Sequence, residues 1–191
     1  PTGVRETLTR VDPGTARETL GVFMAPDGNQ EAQLSALTSS GKKWATHVQQ
    51  GFLLQRDVLP MLKTTILKTF EYPMALTTFS ARTWAKIMQP IIRTCLPKAG
   101  VCRNFPRAAV YGSPRYLGFG IPHPFAMQVT THLETLLRHG TNQTPTGVLL
   151  SSALESHQLE LGLPWGLFQV DYDQAHFLTS DTWLKELWKE R

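Results

Sequence analysis

With 191 residues, 41% of them hydrophobic and 18% charged, the chain has a globular composition and is long enough to bury a sizeable core, which excludes a disordered segment. No apolar run reaches the length of a membrane span, and the first residues lack the charged-then-apolar order of a secretory signal. An intracellular setting, nuclear or cytoplasmic, with no membrane partner is therefore expected. The formal net charge of +4 conceals a strong asymmetry. Between Asn29 and Gly118 the cations are Lys42, Lys43, Arg56, Lys63, Lys68, Arg82, Lys86, Arg93, Lys98, Arg103, Arg107 and Arg115, opposed only by Glu31, Asp57 and Glu71. After Gly140 the sign reverses, with Glu155, Glu160, Asp171, Asp173, Asp181, Glu186 and Glu190 against Lys185, Lys189 and Arg191. Such a division suits a polyanion on one side of the molecule and water or a protein on the other.

The first segment, residues 1–28, carries two short extended runs, TLTRV and LGVFMA, on either side of the turn signal Asp12-Pro13-Gly14. They are expected to form a short β-hairpin or a sheet edge. Because the chain opens on Pro1 and its first Met is Met24, it reads as a piece of a longer protein, with further strands of that sheet upstream.

Residues 29–95 are read as a three-helix bundle. Leu34, Leu37, Gly41, Trp44 and Val48 recur at three- and four-residue steps, predicting a first helix over about 30–50 with Lys42, Lys43 and His47 on its polar side. Val58, Leu62, Ile66 and Phe70 predict a second over 56–70, with Lys63 and Lys68 outward and Tyr72-Pro73 ending it. Ser80 caps a third, in which Trp84, Ile87, Met88, Ile91, Ile92 and Cys95 face inward and Arg82, Lys86, Gln89 and Arg93 face water, with a possible bend at Pro90.

Residues 96–122 form a Pro/Gly-rich basic loop. From Leu96 to Ile121 Lys98, Arg103, Arg107 and Arg115 stand without an acid, interleaved with Phe105, Tyr111, Tyr116 and Phe119. Cations beside flat rings are what a surface needs to hold phosphates and stack on bases; a connector whose rings pack on the core has the same composition. RAAVYG, 107–112, is predicted as a short strand. Residues 123–191 form a helical extension: a helix opened by His123-Pro124 and stopped by Gly140, another over about 146–161 with Leu149, Leu150, Ala153, Leu154 and Leu161 inward, and a last over 181–190 capped by Ser180 and docked by Trp183 and Trp188.

Catalytic signatures are missing from the sequence: no Gly-x-x-x-x-Gly-Lys, no Gly-x-Gly-x-x-Gly and no His-Glu-x-x-His occurs. Cys95 and Cys102 lack zinc-ligand spacing and fit a reducing compartment. The histidines are scattered, and His132 and His139, two turns apart, are too distant to share a metal. Asn142-Gln-Thr reads as a chance match to a glycosylation acceptor. Asp171-Tyr172-Asp173 could present two carboxylates to a magnesium ion if extended, but an Asp-rich turn before a terminal helix is the preferred reading.

Several stretches together suggest a family: Ala16-Arg17-Glu18-Thr19-Leu20-Gly21-Val22, Ala25-Pro26-Asp27-Gly28-Asn29, Glu71-Tyr72-Pro73, Ile87-Met88 with Pro90-Ile91, LPKAGVCRNFPRAAVYG, and Gly118-Phe119-Gly120-Ile121. In this order they resemble the downstream half of reverse transcriptases of LINE-like (non-LTR) retroelements, up to about His139 and more weakly to Trp188. The resemblance implies the edge of a palm followed by a thumb. It implies that Leu20 and Gly21 lie in a strand at the primer grip, and that Lys98, Arg103 and Arg107, with the basic helix faces bearing Lys42, Lys43 and Lys63 and with Arg115, hold an RNA–DNA hybrid or other template-primer duplex. The metal-binding carboxylates of that family, with their Mg²⁺, would belong to an upstream palm that, with the fingers, would be the other partner. No Asp-Asp occurs here, so these residues alone are expected to be inactive as a polymerase and to need no cofactor of their own. The alternative is a retroelement-derived, non-enzymatic module that binds protein or nucleic acid.

Overall fold

In a computed structural model, which describes residues 10–162 and 164–191, the chain is mainly α-helical, with one short antiparallel hairpin at its N-terminal end. Strands β1 (Arg17–Thr19) and β2 (Val22–Met24) pair with Thr19 opposite Val22, leaving Leu20-Gly21 as a two-residue turn. Both turn residues take positive φ, 51° and 81°, the geometry whose twist matches that of a hairpin. Gly21 adopts it freely, whereas Leu20 is strained and its side chain is 84% exposed. The hairpin is anchored by buried Val22 and by the Phe23 N–H, which donates to Gln33 Oε1 at 2.8 Å. The paired runs are thus RET and VFM, and Leu20 and Gly21 form the turn between them, where a Leu-Gly strand was expected. Most of TLTRV lies outside the described residues, and its Arg10 and Val11 are not in a strand.

Helix α1 (Glu31–Gln50) buries Leu37, Gly41, Ala45 and Val48. The expected second helix is broken in two, α2 (Val58–Thr64) and α3 (Ile66–Met74), preceded by a 3-10 turn at Gln55–Asp57. The break is at Thr65, with φ −112° and ψ −85°. Thr65 Oγ1 donates back to the Met61 carbonyl at 2.7 Å and accepts from Trp44 Nε1 at 2.8 Å, and such back-bonding bends helices. Pro73 does not stop α3 but lies buried in its last turn. Helix α4 (Ala81–Lys98) begins where expected, with Ser80 Oγ accepting from the Thr83 N–H, and runs through Pro90 and Pro97. Its inner face carries Trp84, Ile87, Met88, Ile91, Ile92 and Cys95, all 0–1% exposed. Burial pushes the Cys95 thiol up to about 12, which makes it a core residue and a poor nucleophile.

The predicted strand at RAAVYG is instead a short helix, α5 (Arg107–Tyr111), followed by a 3-10 turn at Pro114–Tyr116. Pro106 precedes α5 with its carbonyl accepting from the N–H groups of Ala109 and Val110, so a helical turn closes before any strand partner is met. The chain then folds back over α5: the N–H groups of Phe119, Gly120 and Ile121 donate to the carbonyls of Ala109, Gly112 and Val110. Gly118 crosses so near Gly112 that an added Cβ would sit 2.2 Å from its carbonyl oxygen.

Helices α6 (Pro124–His139) and α7 (Pro145–Leu161) follow, then α8 (Tyr172–Ala175) and α9 (Trp183–Lys189). Leu149 of α7 is 72% exposed, not inward. Thr182, not Ser180, caps α9. Trp188 docks α9 as expected, buried and donating from Nε1 to the Val170 carbonyl at 2.8 Å. Two apolar clusters result: a main one built from α1 to α4 with Val110 and Ile121, and a smaller one of Leu161, Leu167, Ala175, Leu184 and Trp188.

Helix α6 links the two through polar groups. Gln128, 2% exposed, accepts at Oε1 from Trp84 Nε1 (2.9 Å), Thr77 Oγ1 (3.2 Å) and the Phe79 N–H (3.2 Å), and donates from Nε2 to the Phe79 carbonyl (3.0 Å). One turn on, His132 Nε2 donates to the Met74 carbonyl at 3.0 Å, and its ring lies 5.1 Å from that of Trp183. Gln128→Leu strands several buried polar groups at once. It is expected to cost about 2–4 kcal/mol, read as a lowered urea midpoint. Burial lowers the His132 pKa from its ordinary 6.5, against the raising effect of its backbone hydrogen bonds. The unfolded chain therefore takes up this proton first as pH falls, so stability is full above pH 6.5 and declines below it toward the lowered folded value. Wild-type protein should lose urea midpoint between neutral and mildly acidic pH, and His132→Gln should lose less over the same interval.

Candidate nucleic-acid interface

The interface is built on the wet face of α4. Arg82, Lys86, Gln89 and Arg93 are exposed and spaced by four, three and four residues, so they share one face over about 16 Å at the helical rise of about 1.5 Å per residue. Beside them α1 presents Lys42, Thr46 and Gln49, again at helical spacing. The two helices enclose a furrow of about 550 Å³ whose lining includes Lys42, Gln49, Lys86, Arg93 and Arg103. It continues into a second hollow of about 400 Å³, which shares Gln49, Arg93, Thr94 and Arg103 and adds Lys98. Past Lys86 and Gln89, in the other direction, it opens into a third of about 530 Å³ that adds Arg82 and Arg107. Among the described residues, no Asp or Glu lines any of the three.

These cations are also electrically free. Among the described residues the ion pairs are Arg56–Asp57, Lys68–Glu71, His157–Glu160, Lys185–Asp181 and Lys189–Glu186, and none involves the furrow. Three acids of the C-terminal part, Glu160, Asp181 and Glu186, are paired within that part. The hydroxyl and N–H of Ser180 donate to Glu160 and hold its carboxyl below the usual range, and the Lys185 ammonium does the same for Asp181.

Of the residues singled out from sequence, Lys42, Lys98, Arg103 and Arg107 come together along this track. Lys98 is partly committed, since its Nζ donates to the Gly51 carbonyl at 3.2 Å. Lys43 is exposed on α1 but does not line the hollows. Lys63 points elsewhere: its Nζ donates to the Phe119 carbonyl at 3.0 Å and ties α2 to the loop after α5. Arg115 is exposed in the 3-10 turn, off the track. Leu20 and Gly21 stand at the hairpin tip. Of the interleaved aromatics, Phe105 and Phe119 stack on each other at 5.3 Å and pack on the core, while Tyr116 is exposed. Sequence reasoning put Arg82, Lys86 and Arg93 on a solvated face without choosing them as site residues; their helical spacing in a helix free of acids was the available signal.

Asp171 and Asp173 form the start of α8, where Asp171 Oδ1 accepts from the Asp173 N–H at 3.1 Å. No helix among the described residues is long and apolar enough to cross a membrane. Comparison with known proteins finds no matching family model, no matching curated protein and no matching solved structure.

Proposed function

We propose that the chain grips a nucleic-acid duplex by its backbone, as the thumb-side part of an RNA-directed DNA polymerase would grip a template-primer hybrid. The observation that carries this reading is the basic furrow, in which Lys42, Lys86, Arg93 and Arg103 converge from α1, α4 and the loop after α4 without a counter-charge among the described residues. A strand presents one phosphate about every 3.4 Å, so the cationic face of α4 is long enough to follow about five of them. Contacts of this kind hold a duplex irrespective of sequence, as a polymerase moving along its template requires. The reverse transcriptase assignment adds to this only the resemblance of the loop and hairpin stretches, and no chemical step is assigned to residues of this chain.

A second reading, docking onto a protein, is favoured by exposed apolar side chains on the C-terminal helices, with Leu137, Leu149 and Leu159 each more than 70% exposed. Binding of a short RNA–DNA hybrid across a salt series separates the two. Affinity should fall with log salt at a slope of about 0.9 per phosphate neutralised, and Lys86→Ala with Arg93→Ala should reduce that slope by about two. Lys63→Ala should leave the slope intact and lower thermal stability instead. Absence of hybrid binding at low salt, or a slope indifferent to Lys86 and Arg93, would end the duplex reading.

A further inference from the structure

The hollow between α4 and α5 differs from the rest of the furrow. Its volume of about 530 Å³ lies in the range of sites that accept a small organic group. The floor is apolar, provided by Met88 and Ile92, each 1% exposed. Small exposed residues, Ala85 from α4 and Ala108 from α5, leave the space open. One side is aromatic: the Tyr111 ring meets His123 edge-on at 4.6 Å. Burial lowers the His123 pKa from its ordinary 6.5, which favours the neutral imidazole. Burial also raises the Tyr111 hydroxyl, which the neighbouring Arg107 charge partly opposes. Around these neutral rings stand Arg82, Lys86 and Arg107.

An aromatic side over an apolar floor, rimmed by cations, is complementary to a planar heterocycle carrying a phosphate. A paired base cannot use it, because its faces are covered by its neighbours in the stack and its phosphates face outward. An unpaired base can. The hollow shares Lys86 and Gln89 with the furrow, so a strand whose paired part lies along Lys42, Arg93 and Arg103 reaches it simply by running on past Lys86. We propose that this hollow seats one unpaired nucleotide of the strand leaving the duplex, with its base against Tyr111 and its phosphate among Arg82, Lys86 and Arg107. The assignment rests on the duplex reading of the furrow and adds a preference for the junction between paired and single-stranded nucleic acid.

The test uses the full chain, a short blunt RNA–DNA hybrid, and the same hybrid with a single-stranded extension whose first unpaired base is 2-aminopurine. The extended hybrid should bind about ten-fold more tightly than the blunt one, and 2-aminopurine fluorescence should be quenched on binding as the base stacks. Ala108→Trp, which fills the hollow from an exposed position, should abolish both the preference and the quenching while leaving the blunt-hybrid Kd unchanged. Ala85→Trp fills it from α4 and serves as the second variant if circular dichroism shows that α5 is disturbed. Equal binding of blunt and extended hybrids, or a preference that survives both Trp variants, overturns the nucleotide seat while leaving the duplex reading in place. Failure of both hybrids to bind at low salt overturns the duplex reading and the seat with it.

Discussion

The close approach of α1 to α4 is the contact on which the basic furrow depends. Gly41 eases it: a Cβ there would stand 3.5 Å from Phe70 Cζ, an ordinary contact, but 3.2 Å from Ile91 Cδ1, close enough that this methyl would have to give by a few tenths of an ångström. Once Leu37 on one helix and Ile87 and Ile91 on the other are buried in one cluster, the polar faces become the two lips of one groove. Lys42 and Gln49 line one lip, Lys86 and Arg93 the other. Like charges gathered in this way repel, but salt screens exposed charges over about 8 Å at physiological ionic strength. The core beneath, with Phe70, Trp84 and Ile91 fully buried, supplies the offset.

A second constraint fixes what lies around that furrow. Gln128 satisfies four hydrogen-bonding groups at the junction of α3, α4 and α6, so the start of α4 cannot tilt without exposing polar groups to an apolar core. The Phe79 and Trp84 rings, 5.6 Å apart and nearly perpendicular, close around it. Because α6 begins directly after the loop that carries Ile121 and His123, the same anchor holds the α5 side of the hollow against α4. Local rigidity of this kind is what a surface needs if its cations are to keep a fixed spacing.

Much of this architecture was legible in the sequence, because apolar periodicity reports burial directly. The inner face of α4 follows from the spacing of Trp84, Ile87, Met88, Ile91, Ile92 and Cys95, and the Ser80 cap from its chemistry. What escaped was set by groups distant in sequence. At the break, the Thr65 hydroxyl that bonds back to Met61 also accepts from distant Trp44, and Pro73 is tolerated because packing outweighs the bias that proline imposes on the preceding residue. RAAVYG has strand-like composition, yet no strand partner reaches it, and the returning chain bonds it as a helix. At the site, composition drew attention to residues 96–122, whereas the basic hollows run along α4 and take cations from that stretch at Lys98, the end of α4, at Arg103, and at Arg107, the start of α5. Lys63 could not be sorted from its neighbours by sequence, because its partner is a backbone carbonyl 56 residues away.

The cations of this chain therefore fall into two populations, distinguished by what they touch. Lys63, Lys98 and Lys185 reach backbone carbonyls and so belong, wholly or in part, to the fold. The ion pairs among the described residues join groups no more than four positions apart, and none of them reaches the cations of α4. Among the described residues Lys42, Lys86, Arg93 and Arg103 have no carboxylate partner, so water and small counter-ions screen them. A polyanion laid along them restores charge balance and releases its own condensed counter-ions, a gain in entropy that requires no change of shape in the protein. Cations with internal partners would first have to surrender them, which is why the lack of ion pairs on this face among the described residues, more than the net charge of the chain, supports the proposed duplex grip.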